Sequence, residues 1–240
     1  MFMKECKTIQ KVIFILAVIC VSITQSWADS WKEIFFADPT IFVENGKYYL
    51  TGTRNREPQG FAILESTDLK HWTVPNGKDL QLILRKGDQA FGEKGFWAPQ
   101  YFKDKRTYYF TYTANEQTVI ASSKSVFGPF RQKEVKPIDA SAKNIDSFLF
   151  KDDDGKYYLY HVRFNKGNYL WVAEFDIKKG SIKPETLKQC MDCTEPWEKT
   201  PNYKSAPVME GPTVMKWDGV YYLFYSANHF MNIDYSVGYA

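Results

Sequence analysis

The chain has 240 residues, of which 44% are hydrophobic and 25% are charged, with 31 basic and 28 acidic side chains. This composition excludes a disordered chain, a collagen-like fibre and a polybasic nucleic-acid-binding tail, and it leaves room for one large domain or two small ones. Aromatic residues reach 17%. Tyr and Phe at this level favour strands over helices, and exposed aromatic rings are also surfaces on which sugars stack.

The first 28 residues have the pattern of a secretory signal peptide. Three lysines, Lys4, Lys7 and Lys11, precede an apolar run over 12–23, and a polar stretch then ends at Ala28. A basic start, an apolar run and small residues at the −3 and −1 positions predict cleavage after Ala28. The alternative is an N-terminal anchor helix, but the run is shorter than the roughly 20 residues that a membrane span needs. We therefore expect a secreted or periplasmic domain over 29–240, with no membrane association after cleavage.

The mature chain is close to neutral, because much of the excess positive charge lies in the leader. There is thus no electrostatic reason to expect a nucleic-acid partner. Two cysteines remain after cleavage, Cys190 and Cys193, in a single C-x-x-C pair. A zinc ribbon needs two such pairs, so no metal site is predicted here, and a local disulfide and two free thiols both stay open.

One sequence unit occurs four times along the chain. Its copies are DPTIFVENGKYYLTGT from Asp38, APQYFKDKRTYYFTYTA from Ala98, DSFLFKDDDGKYYLYHV from Asp146 and EGPTVMKWDGVYYLFYSA from Glu210. Each copy predicts an apolar strand, a polar turn and a second strand led by a Tyr-Tyr pair. Three turns carry a hairpin signal in which both central residues take positive φ, namely Asn45-Gly46, Asp154-Gly155 and Asp218-Gly219.

A third strand is predicted after each hairpin, beginning at Phe61, Thr118, Tyr169 and Tyr235, and fourth-strand candidates begin at Leu80 and Phe130. No long segment has the period of an amphipathic helix. An antiparallel unit of four strands, repeated roughly every 50 to 65 residues, predicts the blade of a β-propeller. The alternative is a β-sandwich with similar hairpins, and either way the fold class is all-β.

The repeats bring three carboxylates to one predicted position. About ten residues before the Tyr-Tyr pairs stand Asp38, Asp146 and Glu210, whereas the second copy has the uncharged Ala98-Pro99. Equivalent positions in different blades converge on the propeller axis, so we expect these side chains to face one axial pocket. Singly, Asp38 and Asp146 also fit a turn or a cap. Together, like charges in a partly buried pocket raise at least one pKa and cost free energy, which indicates chemistry rather than stability.

Such an arrangement meets the requirements of inverting glycoside hydrolysis. One ionised carboxylate activates water and a second, protonated carboxyl donates to the leaving oxygen, with the two roughly 6.5–9.5 Å apart. A third negative group can hold the pKa of the acid up. Phe36, Phe96 and Trp97 lie beside these positions in the sequence, where they either stack on a sugar ring or pack within the blades.

The chain resembles glycoside hydrolase family 43, whose members are five-bladed propellers acting on arabinan, xylan and related plant polysaccharides. The motifs that carry the resemblance are FADPTIF from Phe36, FWAPQ from Phe96, NIDSFLF from Asn144, MEGPTVMK from Met209 and YSAN from Tyr225. The resemblance runs from about Ile34 to the last residue, and it implies that Asp38 is the general base, Asp146 the pKa modulator and Glu210 the general acid. Arg163, after the third hairpin, is either a substrate contact or a solvated loop charge.

The implied function is an exported glycosidase of arabinofuranosyl or xylosyl bonds in oligo- or polysaccharides, with no cofactor required. The residues do not distinguish arabinose from xylose, or exo from endo action. The alternative is a catalytically inactive or truncated carbohydrate-binding propeller.

The family pattern has five blades, and this sequence stops within the third strand of the fourth. We therefore expect a C-terminally incomplete domain that lacks a pocket histidine and the calcium ion often bound beside it. The histidines present, His71, His161 and His229, cannot be assigned to that role. We also expect the first and last blades to expose apolar strand faces, lined by Ile41, Leu50, Val237 and Tyr239.

Overall fold

The structure, a computed structural model, describes residues 34–77 and 79–240. The predicted signal peptide lies outside these residues. The described chain consists of antiparallel sheets that follow one another in sequence, joined by loops with three short 3-10 turns at Pro75–Gly77, Pro184–Thr186 and Pro196–Glu198. Four of the five sheets each contain one of the sequence repeats, and the fifth is a two-stranded sheet that belongs to the first blade, so the described residues form four blades.

The first blade has the four predicted strands, with the third one interrupted at Ile63. Its strands are β1 (Ala37–Glu44), β2 (Lys47–Thr53), β3 (Gly60–Ala62), β4 (Leu64–Ser66) and β5 (Leu82–Arg85). Strand β4 pairs with β2, whereas β3 pairs with β5. The fourth-strand candidate that begins at Leu80 is therefore confirmed as β5.

The second blade has three strands, β6 (Trp97–Asp104), β7 (Thr107–Ala114) and β8 (Gln117–Ser123). The fourth strand predicted from Phe130 is wrong, because Arg131 forms only an isolated bridge with Ser122. The next residue, Gln132, turns its amide inward, where it accepts from the backbone N–H of Phe91 and donates to the carbonyl of Lys136. These contacts hold the segment in a loop rather than along the sheet edge.

The third and fourth blades follow the same order. The third contains β9 (Asn144–Lys151), β10 (Tyr157–Phe164) and β11 (Asn168–Asp176), with the two-residue strands β12 (Ser181–Ile182) and β13 (Lys188–Gln189) on its outer edge. The fourth contains β14 (Met209–Trp217), β15 (Val220–Ala227) and β16 (Ser236–Tyr239).

Two of the three predicted hairpin turns have the expected backbone. Asn45-Gly46 has φ values of 50° and 73°, and Asp218-Gly219 has 49° and 77°. At Asp154-Gly155 only the glycine takes positive φ, at 81°. That loop is one residue longer and is closed by the N–H of Gly155 donating to the carbonyl of Asp152, so the prediction of positive φ at Asp154 is wrong.

The Tyr-Tyr pairs mark contacts between successive blades. The first tyrosine of each later pair receives the ring of a phenylalanine from the preceding blade, edge to face. The pairs are Phe42–Tyr108, Phe102–Tyr157 and Phe150–Tyr221, with centroid separations of 5.9, 5.9 and 6.1 Å. Because this contact recurs at each described interface, the repeats share one three-dimensional register.

The same strand ends carry ion pairs between blades. Each acidic residue near the end of a first strand binds a lysine of the next blade, in the pairs Glu44–Lys103, Asp104–Lys151 and Asp152–Lys216. Each lysine also lies over the first tyrosine of its own blade. The hairpin ends of the blades are thus electrostatically matched.

The largest core lies between the first and second blades. Phe61, Phe110 and Tyr112 are fully buried there and pack ring against ring. The expected exposure of the first and last blades is confirmed for Ile41, Val237 and Tyr239, which are 52%, 71% and 68% exposed. It is wrong for Leu50, which is buried between its two cross-strand partners, Ile41 on β1 and Leu64 on β4.

Candidate active site

Each first strand is bulged close to its beginning. The strand register breaks between Ala37 and Thr40, between Trp97 and Gln100, and between Glu210 and Thr213, and β10 shows the matching break opposite β9. At each bulge one residue takes positive φ, namely Asp38 at 46°, Ala98 at 45°, Asp146 at 53° and Gly211 at 62°. Bulges redirect side chains and are over-represented next to active sites.

The register corrects one expectation about the carboxylates. Asp38 and Asp146 occupy equivalent bulge positions, but the equivalent residue in the fourth blade is Gly211. Glu210 stands one residue earlier, at the position held by Trp97 in the second blade. Glu210, the general-acid candidate, therefore stands one residue before the bulge position that Asp38 and Asp146 occupy in their own blades.

Asp38 is exposed to solvent and held by one hydroxyl. The Oγ1 of Thr53, at the end of β2, donates to Oδ2 of Asp38 at 2.5 Å. The same Oγ1 accepts from the backbone N–H of Ala98 in the next blade at 2.9 Å. Thr53 thus fixes the orientation of Asp38 and ties it to the second blade.

Asp146 is held by blades on either side. Its backbone N–H donates to Oγ1 of Thr113 at 3.0 Å, and its Oδ2 accepts from the backbone N–H of Gly211 at 3.1 Å. Burial raises the pKa of Asp146 to about 7, with further contributions from the charges of Glu210 and Asp38, against the lowering effect of the Gly211 N–H. The structure therefore brings the three predicted carboxylates within electrostatic reach of one another.

Glu210 has a tyrosine partner that the sequence did not single out. The Oη of Tyr235 donates to Oε1 of Glu210 at 3.0 Å. Burial raises the pKa of Glu210, and the charge of Asp38 raises it further, whereas the Tyr235 hydrogen bond and His229 lower it. In the sequence Tyr235 appears only as the first residue of a strand candidate, 25 residues from Glu210, so no local signal marks the pairing.

An aromatic stack lies within electrostatic reach of Glu210 through His229. The ring of His229 is parallel to Tyr203 at 5.3 Å and to Phe230 at 4.7 Å. Its Nδ1 accepts from the backbone N–H of Met231. Sequence analysis did not anticipate this stack.

The predicted sugar-stacking residues lie in different environments. Trp97 is 38% exposed and Phe36 is half-buried, so both present ring surface. Phe96 is buried and stacks on Tyr112, with 9° between the ring planes. Phe96 is therefore a packing residue rather than a sugar platform.

Arg163 is engaged within the protein. Its guanidinium donates to Oδ2 of Asp139 at 2.7 Å and to Oγ of Ser141 at 3.0 Å, and it lies over the ring of Trp171. The side chain is 12% exposed. The alternative that Arg163 is a solvated loop charge is therefore wrong. The Asp139 carboxylate also neutralises the charge that Arg163 would use in a substrate contact.

The histidines do not form a metal site within the described residues. His71 pairs with Asp68, and His161 is buried inside the third blade, where burial lowers its pKa to about 4. In 34–77 and 79–240 no three His, Cys, Asp or Glu side chains cluster as metal ligands do. The residues in these two ranges do not fit the calcium site that the resemblance implies.

Cys190 and Cys193 are free thiols. Burial raises the pKa of Cys190 to about 12 and raises that of Cys193 as well. Because the thiolate is the reactive form, both are poor nucleophiles at neutral pH. They pack beside the core of the third and fourth blades.

A family profile described as "Glycosyl hydrolases family 43" matches residues 32–240. A xylosidase/arabinosidase of Butyrivibrio fibrisolvens is 28% identical over 80% of this chain and 37% of its own length. The extracellular endo-alpha-(1->5)-L-arabinanase 1 of Bacillus subtilis is also 28% identical, over 79% of this chain and 58% of its own. The chain thus spans about half the length of these curated relatives.

Solved structures show the same architecture. An endo-1,4-beta-xylanase from Bacteroides thetaiotaomicron superimposes with a TM-score of 0.77 and 43% identity, over 85% of this chain and 68% of that one. The fold expected from the resemblance, an all-β propeller of the five-bladed type with about four blades in this chain, is thereby confirmed. Within the part of the chain that the structure describes, no helix has the length and apolar character needed to cross a membrane.

Proposed function

Since the chain belongs to the glycosyl hydrolases family 43, we propose that it is a glycosidase hydrolysing arabinofuranosyl or xylosyl linkages of plant polysaccharides with inversion. The observation that carries the proposal is the group of three carboxylates at the beginnings of the blades. Burial and mutual repulsion raise the pKa of two of them. A fold gains no stability from such a group, whereas acid–base catalysis requires it.

Asp38 is proposed as the general base. It is the most exposed of the three carboxylates, so water reaches it, and the Thr53 hydroxyl holds one of its oxygens. The other oxygen is left to accept a proton. In the reaction Asp38 takes a proton from water while the water oxygen forms a bond to the anomeric carbon from the side opposite the leaving group.

Glu210 is proposed as the general acid. Its raised pKa keeps it protonated closer to neutral pH, and Tyr235 occupies its Oε1. Oε2 is therefore the oxygen that donates. As the bond between the anomeric carbon and the leaving oxygen breaks, the proton passes from Glu210 to that oxygen, so the two transfers balance.

Asp146 is proposed as the residue that sets the charge state of the pair. Its Oδ2 accepts from the backbone N–H of Gly211, directly after Glu210, and its own pKa of about 7 reflects burial first and then the charges of Glu210 and Asp38. When Asp146 is ionised, its negative charge disfavours ionisation of Glu210 and so keeps Glu210 protonated. No cofactor enters this reaction, since carboxylates carry both proton transfers.

Export is part of the proposal. The N-terminal residues have the signal-peptide pattern described above, and the Bacillus subtilis relative is named as extracellular. A polysaccharide too large to enter a cell also requires an enzyme outside the cytoplasm.

The experiment is hydrolysis of arabinofuranosyl and xylosyl aryl glycosides and of linear arabinan and xylan, with NMR of the first product. We expect the sugar or oligosaccharide that is released first to carry the inverted anomeric configuration. A retained anomer would mean that Asp38 acts as a nucleophile. Sugar binding without turnover, by a folded protein, would instead favour the carbohydrate-binding alternative.

A further inference from the structure

A groove rich in cations lies between the outer parts of the second and third blades. One carboxylate, Glu134, lines it, together with five cationic side chains: Arg131, Lys133, Lys136, Lys178 and Lys179. The whole chain has nearly balanced charge, with 31 basic and 28 acidic residues, so this concentration is local. The groove is distinct from the candidate active site, which lies at the beginnings of the first strands.

One wall of the groove is a fixed turn after β11. Oδ1 of Asp176 accepts from the backbone N–H groups of Lys178 and Lys179 at 3.0 and 3.1 Å. Gly180 has a φ of +66°, and a Cβ there would meet the side chain of Ile120 in the second blade at 3.3 Å. The two lysines therefore stand on a backbone held against the neighbouring blade.

The opposite wall is the loop that replaces the predicted fourth strand of the second blade. Arg131 exchanges two backbone hydrogen bonds with Ser122, at 2.9 and 3.0 Å. The buried Gln132 donates to the carbonyl of Lys136 at 2.7 Å and closes the loop on itself. Both walls thus have their backbone fixed before anything binds.

Most of the positive charge in the groove is not compensated. Lys136 pairs with Glu134, and Lys179 lies 3.9 Å from Asp176. Among the residues that the structure describes, the ion pairs include no partner for the exposed side chains of Arg131, Lys133 and Lys178. Clustered cations in a concave surface attract a polyanion more strongly than scattered ones do.

We propose that this groove binds a polysaccharide that carries carboxylates, such as a chain containing uronic acid residues. The choice of a sugar polymer rests on the proposed function. Tyr109, Ser122 and Ser181 line the same groove and offer a ring and hydroxyls that suit sugars, while the cations pair with the carboxylates. The groove would hold the protein on an acidic polymer while neutral arabinose- or xylose-containing branches reach the candidate active site.

The test compares two double variants that change the net charge equally. The groove variant, Lys133→Ala/Lys178→Ala, removes two cationic side chains from the groove. The control variant, Lys105→Ala/Arg106→Ala, removes two exposed cationic side chains from the turn between β6 and β7. Calorimetric titration with polygalacturonate at low salt should show binding by the wild type, roughly tenfold weaker for the groove variant and within about twofold for the control. Added salt should weaken the wild-type interaction. Melting temperatures establish that both variants are folded.

Three results would overturn the inference: no binding of polygalacturonate by the wild type, equal losses in the two double variants, or tighter binding of double-stranded DNA than of polygalacturonate. Hydrolysis of a neutral aryl glycoside, measured in parallel, tests the proposed function separately. A protein that binds polygalacturonate through the groove but hydrolyses nothing contradicts the proposed function and supports the groove.

Discussion

The two ends of the first strands carry carboxylates in opposite electrostatic settings. At the hairpin ends, Asp104 and Asp152 each face a lysine of the next blade. At the beginnings of the strands, Asp38, Asp146 and Glu210 face one another, and none of the ion pairs formed by the described residues includes them.

The consequences for protonation are opposite as well. Hydrogen bonds from Tyr221 and Lys216 lower the pKa of Asp152 to about 2, and the bond from Lys151 lowers that of Asp104. Burial and like charges raise the pKa of Asp146 to about 7. An aspartate therefore stabilises the fold at the hairpin ends of the first strands, whereas an ionised aspartate destabilises it at their beginnings. We assign the chemistry to the beginnings of the strands, where stability is lost.

The largest expected effect is that of Asp38→Asn. Water activation is needed whatever group departs, so hydrolysis of natural and aryl glycosides should both fall by about a thousandfold or more. The variant should fold like the wild type, because Asn can still accept from Thr53. Steady-state kinetics on both substrate types decides the matter, and a loss of less than tenfold on either would remove Asp38 as the base.

Asp146→Asn and Asp104→Asn compare the two ends directly. Asp146→Asn should reduce activity strongly, yet leave the protein as stable as the wild type or more stable by about 1–2 kcal/mol at neutral pH. Asp104→Asn should leave kcat and KM almost unchanged and reduce the free energy of unfolding by about 0.5–1 kcal/mol. Denaturant unfolding and kinetics of the two variants give the comparison.

The pH dependence of these stability differences has a defined sign. The folded-state pKa of Asp146 is raised, so its ionisation destabilises the fold, and the advantage of Asp146→Asn should grow as pH rises from about 4 to 7. The pKa of Asp104 is lowered, so the deficit of Asp104→Asn should be present at neutral pH and vanish as the medium becomes strongly acidic. The same pH trend in both variants would contradict the contrast between the two ends.

Tyr235→Phe should have a smaller effect. The hydroxyl lowers the pKa of Glu210, so its removal should raise that pKa and move the alkaline limb of the pH–rate profile to higher pH. We expect a fall in kcat of about threefold to tenfold, from the lost orientation of the acid. Tyr239→Phe is the matched control, since Tyr239 is exposed on β16, and its profile should be that of the wild type.

The repeat architecture could be predicted because each copy of the repeat contains the residues that form the contacts between blades. The Tyr-Tyr pairs and the preceding phenylalanines meet at every described interface. The exact register of Glu210 could not be predicted. Asp146 and Glu210 both stand eleven residues before their Tyr-Tyr pair, but this equal spacing has a different cause in each blade. In the third blade the turn is one residue longer, whereas in the fourth Glu210 stands one residue before the bulge.

Contacts between segments that are distant in the sequence could not be predicted either. Arg163 meets Asp139 across 24 residues, and Tyr235 meets Glu210 across 25. Neither pair has a spacing that a local pattern can reveal. The free cysteines and the bonded Gln132 loop likewise follow from tertiary packing rather than from local propensity.

The central claim, that the uncompensated carboxylates perform acid–base chemistry, is tested most directly by Glu210→Gln on two substrates. One has a natural sugar leaving group, and the other is an aryl glycoside with a strongly acidic leaving group. We predict that hydrolysis of the first is abolished while that of the second is largely retained, because only the poor leaving group needs the proton from Glu210. Equal losses on both substrates would contradict the assignment of Glu210 as the acid.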